Sequence, residues 1–441
     1  VVNQLNNNPG LKNWLDGELS EEWRITTLGK IAKIRRGASP RPIDSPQWFA
    51  NEGYGWVRII DVTRSNGRLR STEQYLSPKG ITQSVSVKPG QLIMSICATI
   101  GEPAIVEFNV CIHDGFVLFD EYDKNLDTNF LYYFLCYWKP NFRGYGQTGT
   151  QANLNTDIVA STPILLPPIP EQQQIAKILD TVDKAIAQTE TLIAKYKRVK
   201  TGLMQDLLTR GIDEHGQLRD PKTHKFKRSP LGMIPDEKDW ICDCADSLCL
   251  NISVGIVIQP SKYYCEFGIP ALRSANIGEN EINSNELVFI SERSNQLLSK
   301  SIIREGYVLT VRTGYPGTSA VVTKEFDGAN CIDVIISKPS SRILPQYLVL
   351  WINSHWGKEQ VLKNQGGLAQ QHFNVKEMKN LLVIRPGIDE QKRIIKIISS
   401  HETLLKSELK KLNKLKKIKT GLMQDLLTGK TSVKPLLTNE P

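Results

Sequence analysis

Ten residues occur twice in this chain. Residues 200–209 read KTGLMQDLLT, and residues 419–428 read the same, 219 positions later. The likeness runs upstream without a gap. Glu171-Gln172 returns as Glu390-Gln391, and Ile175, Lys177 and Ile178 return as Ile394, Lys396 and Ile397. Over this stretch 17 of 39 aligned positions are identical, which chance does not produce. A weaker likeness extends further back. Gly90–Gly101 aligns with Gly306–Gly317, Arg58 with Arg273, Gln151 with Gln370 and Asn155 with Asn374, while Trp23 and Trp240 open the two halves. A duplicated sequence implies a duplicated structure. The order reads globular, helix, globular, helix, and 441 residues suffice for two separate cores.

The repeated segments read as helices. Pro170 suits a first helical turn, and Asp389 at the equivalent place is a candidate N-cap. Apolar residues recur every three to four positions through Ile175, Ile178, Val182, Ala185, Leu192, Tyr196, Val199 and Leu203, interrupted by Thr189. The second copy runs through Ile394, Ile397, Leu404, Leu405, Leu409, Leu412, Leu415, Ile418 and Leu422. About 38 residues at ~1.5 Å each give roughly 57 Å, too long to bury against one small domain. Two such stripes are expected to pair as an antiparallel coiled coil with a globular part at each end. Gly202 and Gly421 each cost a helix about 1 kcal/mol relative to alanine, so a shared glycine suggests close approach of another surface. The candidate partner-binding residues are therefore Gly202, Leu203, Met204 and Leu207, with Gly421, Leu422, Met423 and Leu426.

The globular halves read as mixed α/β. Strands are expected at 56–62, 91–96, 103–106 and 116–119, and at 271–272, 308–311, 320–322 and 332–336. Helices are expected at 128–137 and 345–354, and residues 210–235, rich in Gly, Asp, Lys and Pro, as an extended connector. The fold class is thus α/β, an internal repeat with two mixed domains on paired long helices. The expected boundaries are a first domain at 1–165, a first long helix at 166–209, a linker at 210–235, a second domain at 236–387, a second long helix at 388–428 and a tail at 429–441. No run of about 18 apolar residues occurs, so no membrane partner is expected. The polar, Asn-rich start does not look like a signal peptide, and the eight cysteines read as buried cytosolic thiols.

Net charge is +9, and the excess lies in two stretches: about +4 over 166–232 and +6 over 388–441, against zero and −1 in the globular halves. The first half is nevertheless polarised, because residues 24–70 hold ten basic and three acidic groups. Arg35, Arg36 and Arg41 flank a Gly-Ala-Ser-Pro turn, Arg64, Arg68 and Arg70 line a second loop, and Arg58 lies between. Arginine suits phosphate anchoring and bidentate reading of guanine. Gln147, Thr148, Thr150 and Gln151 lie on a loop of amides and hydroxyls, matched in the second half by Gln370 and Gln371; glutamine can pair with adenine. Arg273, Arg312, Thr313 and Tyr315 complete the candidate DNA-binding set. The two sets of loops differ, which suits an asymmetric target rather than a palindrome.

Catalytic machinery is not legible. The single Pro-Pro, Pro167-Pro168, lacks the flanks of an amino-methyltransferase loop. Gly429-Lys430-Thr431 is no P-loop, because Gln424 stands where the first glycine must be. Six scattered histidines show no metal or triad spacing, and Cys242, Cys244 and Cys249 are wrongly spaced for a structural zinc. No cofactor, metal or catalytic residue is expected.

Residues 165–175 (LLPPIPEQQQI), their copy 384–394 (IRPGIDEQKRI), the two KTGLMQDLL blocks and 229–235 (SPLGMIP) with Trp240 resemble the specificity (S) subunits of type I restriction-modification systems, from about Trp23 to Thr428. The resemblance implies two target recognition domains, each reading half of an asymmetric bipartite site in double-stranded DNA, with the helices as a ruler. It also implies two modification (M) methyltransferase subunits and restriction (R) subunits as partners. The chain itself would then be non-catalytic, in the cytoplasm. The alternative is a coiled-coil scaffold that joins proteins without reading DNA; salt-insensitive association with no DNA footprint would favour it.

Overall fold

The computed structural model describes residues 22–144, 154–363 and 372–437. The chain divides into two compact units: one of residues 1–190 with 410–441, the other of 191–409. Neither is continuous with a single repeat. Each takes the start of one long helix and the end of the other, or the reverse.

In the first unit, two five-stranded sheets carry the globular part. One runs Lys33–Arg36, Phe116–Asp120, Leu92–Ser95, Pro103–Val106, Arg68–Leu69; the other runs Phe49–Ala50, Gln74–Leu76, Tyr54–Val57, Val110–Ile112, Val85–Val87. The first strand after Trp23, Arg24–Thr27, pairs antiparallel with Pro163–Leu166, the strand that leads into the long helix. Helix Thr128–Gly144 packs its aromatic face, Phe130, Phe134, Trp138 and Phe142, into a core that also takes Ile175 and Leu179 from one long helix and Leu426 and Leu427 from the other. That burial supplies the hydrophobic driving force, about 25 cal/mol per Å² of apolar area.

The second unit repeats the plan with four-stranded sheets: Cys249–Val254, Val334–Pro339, Val308–Val311, Ser319–Val321, and Tyr264–Cys265, Val288–Ile290, Ile269–Leu272, Asn330–Cys331. The strand after Trp240, Ile241–Cys244, pairs with Leu382–Arg385 before the second long helix. Its core joins Trp240, Tyr347 and Trp351 to Leu207 and Leu208 of one helix and Ile394 and Ile398 of the other.

The long helices span Ile169–Thr209 and Ile388–Leu427. Within each unit they run antiparallel. In the first, Asp183 pairs with Lys419 and Glu190 with Lys416, so one number rises as the other falls. In the second, Lys200 pairs with Glu402, while Leu207 and Leu208 share a core with Ile394 and Ile398. Thr189 sits buried because its hydroxyl donates to the helix's own Ala185 carbonyl, 2.8 Å away. His401 packs edge-on against Tyr196, ring centroids 5.4 Å apart.

Five sequence expectations need correction. Residues 59–62 are not strand: the backbone leaves Tyr54–Val57 and enters helix Ile59–Arg64, because Asp61 Oδ2 accepts the Arg58 amide at 2.8 Å and caps the turn. Residues 210–235 are not an extended connector: Ile212 bridges Leu218, and Phe226–Ser229 forms a hairpin with Gly232–Pro235. Asp389 lies inside the first turn rather than at the cap. The apolar stripes are wider than the seam, since Val199, Leu404, Leu409 and Ile418 remain exposed; two paired helices bury one face each. Of the eight thiols, all unpaired, only Cys111 and Cys331 are fully buried.

Candidate nucleic-acid interface

Seven arginines of the first unit gather at two places. At the first, Asp114 organises the turn 36–41. Its main-chain carbonyl accepts Arg36 Nε at 2.8 Å, and its carboxylate takes the Ser39 hydroxyl at 2.8 Å and Arg41 at 3.3 Å. Burial alone would raise the Asp114 carboxyl; the Ser39 hydrogen bond, a backbone N–H and the Arg41 charge outweigh it and hold the group below the usual carboxylate range. Arg35, on the neighbouring strand position, pairs with Asp120 at 2.9 Å. Behind them the His113 ring lies edge-on to Phe116, and burial lowers its pKa.

At the second place, Arg64, Arg68 and Arg70 line one cleft of about 330 Å³ with Asp61 and Glu73. Arg64 pairs with Glu73 at 3.0 Å and Arg70 with Glu107 at 2.9 Å. Arg68 instead donates to the neutral Asn129 Oδ1 at 2.7 Å, and Arg58 to Gln74 Oε1 at 2.8 Å. The sequence did not show this division. Arg35, Arg41, Arg64 and Arg70 meet carboxylates, whereas Arg36, Arg58 and Arg68 are steered by neutral oxygens and form no ion pair among the described residues. The carboxylate pairs are exposed, with Arg41, Arg64 and Arg70 side chains 68–71% accessible. Such pairs are worth about 0–1 kcal/mol, so a phosphate can displace the carboxylate.

The second unit uses the same backbone with different side chains. The Arg273 amide is held by Asn276 Oδ1 at 2.9 Å, as Arg58 is by Asp61, and its guanidinium donates to the neutral Glu286 carbonyl at 2.6 Å. Gly37 and Ala38 donate to the Phe116 and Ile112 carbonyls; Gly255 and Ile256 donate to those of Val334 and Cys331. That match places Ser39-Pro40-Arg41 opposite Val257-Ile258-Gln259, and Asp114 opposite Asp333. Asp333 pairs with Arg312 from another loop, and Ile258 stands 78% exposed where the first unit is polar. Thr313 and Tyr315 border a cleft of about 390 Å³ with Ser274, and Tyr315 is 83% exposed. Asp114, Asp333 and Ile258 escaped the sequence reading; an acid two residues beyond equivalent strands was the available signal for the first two.

Gln147, Thr148, Thr150, Gln151, Gln370 and Gln371 lie outside the described residues. The residues that follow those loops are equivalent, since Leu154 donates to the Ile96 carbonyl and Phe373 to that of Arg312.

In the repeated block, Gly202 and Gly421 are exposed and an added Cβ would meet nothing within 4 Å of either, so nothing among the described residues approaches them closely. Leu203, Met204, Leu422 and Met423 are half-buried. Leu207 and Leu426 are committed to the intrachain cores, so the expected partner face is narrower than the block.

Known proteins place these features in a family. The chain matches the type I restriction modification DNA specificity domain twice, over residues 20–198 and 248–420. It is 27% identical to the type I restriction enzyme MjaVIII specificity subunit of Methanocaldococcus jannaschii, covering 94% of both chains. It is 25% identical to the EcoBI specificity subunit of Escherichia coli, over 94% of this chain and 86% of that one. In fold it is similar to the S subunit of M. genitalium, with a TM-score of 0.57 at 15% identity, covering 94% and 97% of the chains. A chain solved in work on assembly and conformational transition of the type I R-M system gives 0.58 at 17% identity, covering 93% and 99%. With two family domains spanning most of its length and relatives matched nearly end to end, the chain belongs to the type I restriction-modification specificity (S) subunit family.

Proposed function

We propose that residues 1–165 and 236–387 are two target recognition domains, each reading one half of an asymmetric bipartite site in duplex DNA. The segments 166–209 and 388–428 act as the spacer that sets the gap, with 210–235 as linker and 429–441 as tail. The chain is non-catalytic and works in the cytoplasm. Two modification (M) subunits carry adenine methylation, and restriction (R) subunits carry ATP-dependent cleavage. No helix among the described residues is long and apolar enough to cross a membrane.

The observation that carries the reading is a shared scaffold bearing unlike contacts. Ser39 and Arg41 in one unit stand where the other has Val257, Ile258 and Gln259, while the turn backbone is hydrogen-bonded alike. Polar and guanidinium groups suit base edges and phosphates; an exposed aliphatic suits a thymine methyl. The test exchanges residues 24–160 for those of a relative and maps methylation in cells that carry the M partner. One half-site should change and the other stay; change in both would refute the split. Inserting one heptad into both long helices, so that their pairing is kept, should alter the gap between half-sites, and the old gap would refute the spacer role.

A further inference from the structure

Between residues 179–194 and their counterparts 398–413, no position of the repeat is identical, and only Asp183 and Glu402 keep a charge. The structure gives both the same task. Lys419 Nζ lies 2.6 Å from Asp183 Oδ1, and Lys200 Nζ lies 2.6 Å from Glu402 Oε1. Lys200 and Lys419 open the two identical blocks, so the pairs are one interaction made twice, across the antiparallel helices of each unit. All four side chains are at most 28% exposed, unlike Lys416–Glu190 at 54% and 41%. Shielding from water strengthens such a pair but makes an unmatched charge costly.

Each acid also receives one hydrogen bond from its globular part. The Tyr133 hydroxyl donates to Asp183 Oδ2 at 3.1 Å, and the Asn280 amide to Glu402 Oε1 at 2.6 Å. From there a connected path leads to the candidate reading residues. Tyr133 stands on helix Thr128–Gly144, whose Asn129 holds Arg68. Asn280 accepts from Asn353 at 2.8 Å, and Asn353 binds both the amide and the carbonyl of Ser319. Ser319–Val321 pairs with Val308–Val311, the strand that Arg312 directly follows.

We propose that Lys419–Asp183–Tyr133 and Lys200–Glu402–Asn280 are positioning residues. Each triad pins helix register and the seat of its own recognition domain in one place, and thereby sharpens selection of the gap length. The proposal rests on the DNA-reading function above.

The experiment uses the assembled complex with M subunits and duplexes whose half-sites are separated by the cognate gap or by one base pair more or fewer. Tyr133→Phe removes one hydroxyl and leaves the packing ring. A lost hydrogen bond to a charged group should shrink the preference for the cognate gap by about ten-fold or more, with the melting temperature lowered by no more than a few degrees. Glu402→Lys should abolish the preference, and Lys200→Glu with Glu402→Lys should restore part of it, because the reversed pair holds the helix register again while the introduced lysine cannot accept from the Asn280 amide. Unchanged gap preference in Tyr133→Phe, or a double variant no better than Glu402→Lys, overturns the proposal. A wild-type complex indifferent to gap length would instead overturn the bipartite reading itself.

Discussion

Arg36→Ala or Arg68→Ala in the assembled complex is expected to weaken duplex binding about ten-fold or more, whereas Arg64→Ala or Arg70→Ala costs less than about three-fold. The difference follows from the partners. Arg36 and Arg68 are held by a carbonyl and an amide oxygen, so on the proposed reading they need give up no ion pair among the described residues to meet a phosphate or base. Arg64 and Arg70 must first leave Glu73 and Glu107, and the gain from a phosphate is offset by the pair lost. Arg58 and Arg273 belong with the first group. Titration at several salt concentrations separates the two. Losing an arginine of the first group should flatten the dependence of affinity on salt by about one counterion. Equal losses at all four positions would remove the distinction.

The second large effect concerns stability. In the second unit, Glu390 is buried and takes Arg219 at 2.6 Å, the Ile212 amide at 2.8 Å and the Trp240 indole at 3.1 Å. Arg219 is itself 4% exposed. Glu390→Ala leaves Arg219 paired with Glu237 alone, at 2.6 Å, and orphans two buried N–H groups, which should cost about 3 kcal/mol. Glu171, at the same place in the first unit, takes the Trp23 indole at 3.1 Å, and its other oxygen is buried without a hydrogen-bond partner among the described residues. Glu171→Ala should therefore cost only about 1–2 kcal/mol. Denaturant titration of the two variants checks the ranking, and equal destabilisation would contradict it.

Much of the architecture was legible because its signals were local and repeated. Identical blocks announced two long helices, and apolar spacing announced their pairing. Strand 103–106 was placed to the residue, because four apolar residues lay between polar and turn positions. Ile59–Val62 was misread because its β-branched residues favour a strand in isolation, while the Asp61 cap that makes them helical is a contact to one backbone amide. The folded linker escaped for a related reason. Its polar composition hides Arg219, whose partner Glu390 stands 171 positions away. The arginines were found by type, but sorting them by neutral or acidic partner needed the sheet register that brings Asp114, Asp120 and Glu107 beside them. No local pattern carries that information.

The division of the chain has a bearing on its synthesis. Residues 410–441 belong to the first unit, and Leu426, Leu427 and Val433 fill its core against Trp23, Ile175 and Leu179. A chain leaving the ribosome can close the unit ending at residue 409 while the earlier-made half still lacks one wall. The half translated first is finished last, and until then it holds an open apolar trough that a chaperone or a neighbouring nascent chain can enter.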